Sequence, residues 1–129
     1  MALGKIKADT LEHSTAGSLD TQYVVNGSAK AWVNFNGSTN ATRSSLNIAS
    51  VTDNGNGDYS YSTTSAYAAF DYLANGASYW SSTRECELDA TNSTTSIIRM
   101  ISGYTSNTSG GGTGADSVYS QVITLGDLA

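Results

Sequence analysis

Residues 29–63, AKAWVNFNGSTNATRSSLNIASVTDNGNGDYSYST, contain the patterns that decide the fold. Small or apolar side chains alternate with larger or polar ones over residues 29–35, and this two-residue period places the first set on one face of a β-strand. Residues 45–51 and 58–63 are predicted to form two further strands. The segment DNGNG at 53–57 contains two Asn-Gly pairs, which tolerate the positive φ angles of tight hairpin turns. The stretch therefore predicts three strands joined by turns.

The rest of the chain is also predicted to be mostly strand. Residues 65–74 leave two alternatives open, a short helix or a loop followed by an extended piece. The run SIIRMI at 96–101 has no alternation, the pattern of a central strand covered on both faces. Residues 23–25 are predicted to pair with residues 29–35 in a tight hairpin, and the remaining predicted strands are 77–80, 83–90 and 118–125. About eight short strands without a proline predict an all-β protein, an antiparallel β-sandwich.

The composition is compatible with one folded domain. Ser, Thr, Gly and Asn make up 59 of the 129 residues, a bias that can indicate disorder. Eight Tyr, two Trp and two Phe, several at strand spacing, favour a core instead, and only 13% of the residues are charged. Residues 1–20 have few large apolar side chains and are predicted to be an extended N-terminal arm for attachment or oligomer contact. Residues 21–129 are predicted to be the sandwich domain.

The charge and the hydropathy of the chain exclude several kinds of partner. The net charge of −5 argues against nucleic-acid binding, which requires clustered Lys and Arg. No stretch approaches 18 uninterrupted apolar residues, and the N-terminus lacks the features of a signal peptide. We therefore expect a soluble chain that is synthesised in a cytoplasm and does not insert into a membrane.

The residues that could support catalysis do not form a recognisable set. His13 is the single histidine, lies in the predicted arm and has no Gly-x-Ser-x-Gly motif to accompany it. The carboxylates of Glu85, Glu87 and Asp89 alternate along one strand and are predicted to be a solvated outer face, although a cation shared between symmetry-related copies is an alternative. We predict no catalytic residue and no enzymatic activity.

No metal or cofactor site is predicted either. Residues 53–58 resemble a calcium loop, but Gly occupies two positions that need oxygen ligands. The glycines at 110–114 lack the lysine and the strand-to-helix context of a phosphate-binding loop. Cys86 cannot form an internal disulfide and is predicted to be an inert, buried, apolar thiol.

Aromatic residues among small polar neighbours are the remaining candidates for a functional site. Rings flanked by Asn, Ser and Asp suit the recognition of sugars, and they are equally typical of protein interfaces. Trp80, Tyr104 and Tyr119 are the choices for contacts between subunits. The candidate carbohydrate, receptor or interface residues are Trp32, Tyr59, Tyr61, Trp80, Tyr104 and Tyr119.

Two motifs in the central stretch carry a resemblance. AWVNFNG at 31–37 is followed by TDNGNGDY at 52–59, and the similarity extends to KIKADTL at 5–11 and SLDT at 18–21, so that residues 5–63 match well. It extends less distinctly to LGD at 125–127, and the rest of the chain matches only in style. This combination resembles a module of tail-fibre and other virion-appendage proteins of tailed bacteriophages, especially marine and cyanobacterial phages.

The resemblance implies a structural protein of the virion, made in the host cytoplasm, that contributes to host attachment as a tail-fibre-like module. It also implies a homotrimer that contacts other virion proteins and, at the host surface, a glycan. The alternative is a capsid decoration (cement) protein of the same fold. A polysaccharide-degrading tail enzyme is a third class, and it would need a carboxylate pair in a cleft.

Overall fold

A computed structural model of the chain describes residues 7–79, 83–104 and 113–129. In this part of the chain the regular elements are eleven strands and one short helix. In chain order they are β1 Thr10–His13, β2 Gly17–Asp20, α1 Thr21–Gly27, β3 Ala31–Asn36, β4 Ala41–Leu46, β5 Ile48–Gly55, β6 Asp58–Thr63, β7 Leu73–Tyr79, β8 Thr83–Leu88, β9 Ile97–Tyr104, β10 Thr113–Gly114 and β11 Tyr119–Leu125.

The strands form an antiparallel β-sandwich, which confirms the predicted fold class. The first sheet has the order β4-β3-β11-β7, and the second has the order β8-β9-β6-β5, with β10 paired to β9. The two sheets are continuous at β7 and β8, where, among the described residues, Ser78 pairs with Arg84 and Tyr79 pairs with Thr83. The sheet therefore folds over at this corner, and the inner faces of its two halves pack together.

The core lies between the inner faces of the two sheets. Phe35 of β3 contacts two tyrosines of β6 edge-on, with ring centroids 5.0 Å from Tyr59 and 6.2 Å from Tyr61. Such edge-to-face pairs are favoured by the ring quadrupoles. The buried apolar residues are Ala31, Val33, Phe35, Tyr59, Tyr61, Tyr67, Tyr72, Ile98, Met100 and Val122. The alternation in residues 29–35 thus identified the inner face of β3 correctly.

Three buried tyrosines reach across the sandwich to β11 and the segment before it. Tyr59 donates to an oxygen of Asp116 over 2.6 Å. The hydroxyls of Tyr61 and Ser120 are hydrogen-bonded over 3.1 Å, and a third bond joins Tyr67 to Thr124. The three partners, Asp116, Ser120 and Thr124, lie four residues apart along the chain. Each of these three buried phenols therefore has a hydrogen-bond partner within the protein.

The N-terminal part of the chain differs from the prediction. Residues 23–25 are helical, within α1, and do not form a strand. The reason lies in β3, whose two edges are occupied by β4 and β11, so that neither edge is free for a hairpin partner. All residues of the β1–β2 hairpin are exposed and α1 has no buried residue, so the first buried residue of the described chain is Ala31.

Residues 45–51 are not one strand, contrary to the prediction. Asn47 adopts a φ of 55°, a left-handed conformation that Asn tolerates better than most residues. Its side chain accepts the Ser65 backbone N–H over 2.7 Å and donates to the Ser65 carbonyl over 3.1 Å. This corner separates β4 from β5 and moves the chain from the first sheet to the second.

The structure also decides the predictions for two other segments, residues 65–74 and 96–101. Residues 65–74 follow the second alternative, because a loop runs to Leu73, where β7 begins. Strand β9 is central, between β8 and β6, as predicted for residues 96–101. However, β9 is covered on one face only, because Ile98 and Met100 are buried whereas Ile101 is 41% exposed.

We predict that Phe35→Ala lowers the free energy of unfolding by about 3–5 kcal/mol, the usual cost of emptying a buried aromatic site. The substitution removes both aromatic contacts between the sheets. Urea unfolding followed by circular dichroism measures the change. Ile123→Ala is the matched control, since this apolar side chain is on the outer face of the first sheet and half exposed. A loss for Phe35→Ala no larger than that of the control would contradict the assignment of Phe35 to the core.

Candidate functional site

Two of the six aromatic candidates are core residues and not part of an accessible site. Tyr59 and Tyr61 have 0% of their surface exposed. Both point inward from β6, whereas Ser60 and Ser62, which surround Tyr61 in the sequence, alternate to the outer side. Burial raises the pKa of both phenols, so they remain protonated at neutral pH. The two-residue period Tyr-Ser-Tyr-Ser was the signal that would have identified them as inward-facing.

The side chains of two further candidates fall outside the part of the chain that the structure describes. Trp80 lies in the gap between residues 79 and 83, and for Tyr104, which ends β9, the side chain is outside the described part. The remaining two candidates, Trp32 and Tyr119, both lie on the outer face of the first sheet. This face is the candidate functional site.

Strand pairing arranges the outer face of the first sheet in rows that cross the strands. Alternate residues of neighbouring strands point the same way, so residues in register form continuous rows. A first row contains Asn75, Ile123, Trp32 and Leu46. A second row contains Ala77, Gln121, Asn34 and Ser44. Beyond it, Tyr79 pairs with Tyr119, with ring centroids 6.3 Å apart.

A concave region of about 350 Å³ lies along the first two rows. We call it the Trp32 groove. One side is mostly apolar and includes Trp32 and Ile123, while the other carries the amides of Asn34 and Gln121. The lining residues are Trp32, Val33, Asn34, Ser44, Asn75, Gly76, Ala77, Gln121, Val122 and Ile123.

Gly76 brings the two sheets close together beneath the groove. A Cβ at this position would lie 2.6 Å from Sγ of Cys86 and 2.8 Å from Cε of Met100, closer than packed atoms allow. Cys86 is partly buried against the core, and burial raises the pKa of its thiol to about 11. The thiol is therefore protonated at neutral pH and packs as a small apolar group.

Arg43 lies at the edge of the groove and is held by three contacts. Its Nη1 donates to Oδ1 of Asn34 over 3.3 Å and to the Phe35 carbonyl over 3.2 Å. Its guanidinium also lies 4.3 Å from the centroid of the Tyr119 ring, a cation–π contact. The arginine thus fixes the orientation of the Asn34 amide and covers one face of Tyr119.

The groove is uncharged and carries amides that are open to a ligand. None of its lining residues is an Asp, Glu, Lys or Arg. Within the described residues, the side chains of Asn75 and Gln121 make no hydrogen bond to protein, and both residues are exposed. An indole beside amides that both donate and accept hydrogen bonds can bind an uncharged polar ligand or another protein.

Three of the acidic residues that the sequence suggested as alternative sites, Asp53, Asp58 and Asp89, have structural roles. Asp58 forms a bidentate ion pair with Arg99, whose Nε donates to Oδ1 over 2.8 Å, and Asp89 lies 3.5 Å from the same Nε. Asp53 accepts the Gly55 N–H over 3.0 Å within the hairpin. Among the described residues no cluster of three or more His, Cys, Asp or Glu could hold a metal ion. None of the helices in the same part of the chain is long and apolar enough to span a membrane.

Comparisons with protein-family models, with curated proteins and with solved structures gave no match to this chain. The function must therefore be inferred from the chemistry of the chain itself.

The Asp58–Arg99 pair makes a prediction about stability and pH. The hydrogen bond from Arg99 lowers the pKa of Asp58 in the folded state, against the opposing effect of burial. A lowered folded-state pKa adds stability above the unfolded pKa of about 3.9, and this stability is lost as the pH falls through the folded value. We therefore expect the stability of the native chain to drop on acidification below about pH 4, and we expect Asp58→Asn to drop less steeply.

Thermal unfolding between neutral and acidic pH compares the two proteins. Glu87→Gln is the control, because Glu87 is an exposed carboxylate on the same sheet and forms no ion pair within the described residues. Identical pH profiles for the native chain and Asp58→Asn would show that the ion pair adds nothing.

Proposed function

We propose that this chain is a non-enzymatic structural protein of a tailed-phage particle, a tail-fibre-like module that contributes to attachment at the host surface. The observation that carries the proposal is the outer face of the first sheet. It presents Trp32, Leu46, Ile123 and Tyr79 beside uncharged amides, and aromatic and apolar side chains on an exposed face are typical of contact surfaces. The resemblance of residues 5–63 to virion-appendage proteins supports the phage assignment.

The chemistry of the groove favours binding over catalysis. Glycoside hydrolysis needs two carboxyl groups about 5–9.5 Å apart across the scissile bond. The groove lining contains no carboxylate, and the carboxylates of Asp58 and Asp89 are paired with Arg99. A module with this surface would hold its ligand without cleaving it.

The N-terminal segment supplies the proposed attachment to the particle. Leu11 and Leu19 of the β1–β2 hairpin and Tyr23 and Val25 of α1 are all exposed. Exposed apolar side chains gathered in one short segment favour burial against another protein. We assign this contact to other virion proteins, which leaves the sandwich free to face the host.

Localisation on the particle tests the proposal. We expect gold-labelled antibodies against the chain to bind the tail of intact virions in electron micrographs. Label on the capsid would favour the decoration-protein alternative, and absence of the chain from purified virions would overturn the assignment to the particle.

A truncated chain gives the matched control for the attachment segment. Deletion of residues 1–28 removes no buried residue of the described chain, so we expect thermal unfolding of the sandwich to be unchanged while incorporation into particles is lost. Incorporation of the truncated chain at the level of the full-length chain would contradict the proposed role of the segment.

Self-association is the second testable part of the proposal. A Ser/Thr-rich sandwich of this size buries little apolar area, and contacts between copies would add to its stability. We expect a homotrimer that uses the exposed Tyr79–Tyr119 pair, with a melting temperature that rises with protein concentration. Analytical ultracentrifugation should show that Tyr119→Ala weakens the trimer and that Tyr23→Ala, an exposed control on α1, does not. A monomer with concentration-independent melting would contradict the trimer.

A further inference from the structure

We infer that the Trp32 groove binds a neutral oligosaccharide. This inference rests on the proposed attachment function and adds to it a site and a class of ligand. Four features of the groove favour this ligand: its two unlike walls, the hydrogen-bonding state of its amides, its lack of charge and its length.

The two walls of the groove match the two kinds of surface on a sugar ring. Trp32 and Ile123 supply an apolar wall, and a pyranose presents C–H groups that can pack against an indole. Asn34 and Gln121 supply a polar wall in the adjacent row, where the ring would present its hydroxyls. Ligand sites commonly combine such an apolar surface with a few placed polar groups.

The amides have the hydrogen-bonding capacity that hydroxyls require. Arg43 carries donors only, so its bond to Oδ1 of Asn34 orients that amide and leaves the Asn34 NH₂ group for a ligand. Asn75 and Gln121, which have no protein partner within the described residues, each offer one acceptor and two donor hydrogens. Because a hydroxyl both donates and accepts, two neighbouring hydroxyls can bind one amide through both of its ends.

The charge of the groove selects between neutral and acidic sugars. The lining residues carry no charge, while the whole chain has a net charge of −5. The nearby cation, Arg43, is already bound to Asn34, to the Phe35 carbonyl and to the Tyr119 ring. A uronic or sialic acid would find no free cation in this lining and would be repelled by the acidic protein.

The length of the groove favours an oligosaccharide over a single sugar. Its rows cross four strands, which are spaced about 4.8 Å apart, so that a row spans about 14 Å. The volume of about 350 Å³ is within the usual range of ligand pockets. Ala77 and Ser44 are small residues at the two ends of the second row, so a longer glycan could continue beyond the groove.

Tryptophan fluorescence provides a direct test. In Trp80→Phe the single remaining indole is Trp32, so its emission reports the groove alone. We would titrate this variant with cellotetraose, maltotetraose and chitotetraose as neutral probes and with tetragalacturonate as the acidic probe. We expect a saturable spectral change with at least one neutral probe at sub-millimolar concentration, and binding at least tenfold weaker for the acidic probe. Titration calorimetry of the unsubstituted chain repeats the measurement if Trp80→Phe fails to fold.

Amide substitutions test the assigned contacts. Gln121→Ala and Asn75→Ala should each weaken the neutral probe severalfold, and the double variant at least tenfold, with unchanged circular dichroism. Ile101→Ala removes an exposed apolar residue from the outer face of the other sheet and should leave binding unchanged.

Three outcomes would overturn the inference: no saturable binding of any neutral probe at millimolar concentration, equal binding by the double amide variant, or a Trp32 emission shift on protein dilution that shows the groove to be covered by a second copy. Failure of the inference and failure of the proposed function are distinguishable. If the chain is found on the tail but binds no neutral sugar, the proposed function stands and the sugar-binding inference is wrong. If the chain binds the sugar but is absent from virions, the proposed function is wrong and the sugar-binding site stands.

Discussion

The hydrogen bonds from buried tyrosines to the β11 region are the constraint on which the rest of the structure depends. The core has few large aliphatic side chains and is filled by phenol rings, whose hydroxyls would be costly to bury without partners. Tyr61 and Tyr67 find theirs in Ser120 and Thr124 on the inner face of β11. A shift of β11 by one residue would turn these partners outward and leave the phenols unsatisfied, so the bonds fix the register of the strand.

The same register builds the groove on the opposite side of the sheet. When Ser120, Val122 and Thr124 face inward, Gln121 and Ile123 must face outward, in line with Asn34 and Trp32 of β3. The core and the candidate binding surface are therefore the two faces of the same strands. A substitution in the core that shifts β11 along β3 would therefore also move Gln121 away from Asn34 and Ile123 away from Trp32 on the outer face.

How much could be predicted from the sequence depends on the range of the interaction. The alternation in residues 29–35 and the Asn-Gly hairpin are local signals, and both correctly located strands and a turn. Residues 23–25 have strand-like composition, yet they are helical because both edges of β3 are taken by distant strands. Trp32 could be chosen as a candidate from its neighbours, whereas Asn75 and Gln121 could not be associated with it, since strand register alone brings them together. Tyr59 and Tyr61 have the polar neighbours of an exposed aromatic site, yet they are buried because their two-residue period places both on the inner face of β6.

The two edge strands of the sandwich, β4 and β5, are irregular, and this limits how the exposed apolar face can associate with other chains. An open strand edge invites pairing with other chains, and bulges or charged side chains discourage it. The β5 edge has register shifts near both ends, between Ile48 and Ser50 and between Asp53 and Gly55. The β4 edge carries Arg43 and pairs with β3 through another shift. Because both edge strands are irregular, they oppose the open-ended addition of strands from other chains. Contacts with other molecules are then made by side chains on the face of the sheet, where shape and chemistry limit which partner can bind.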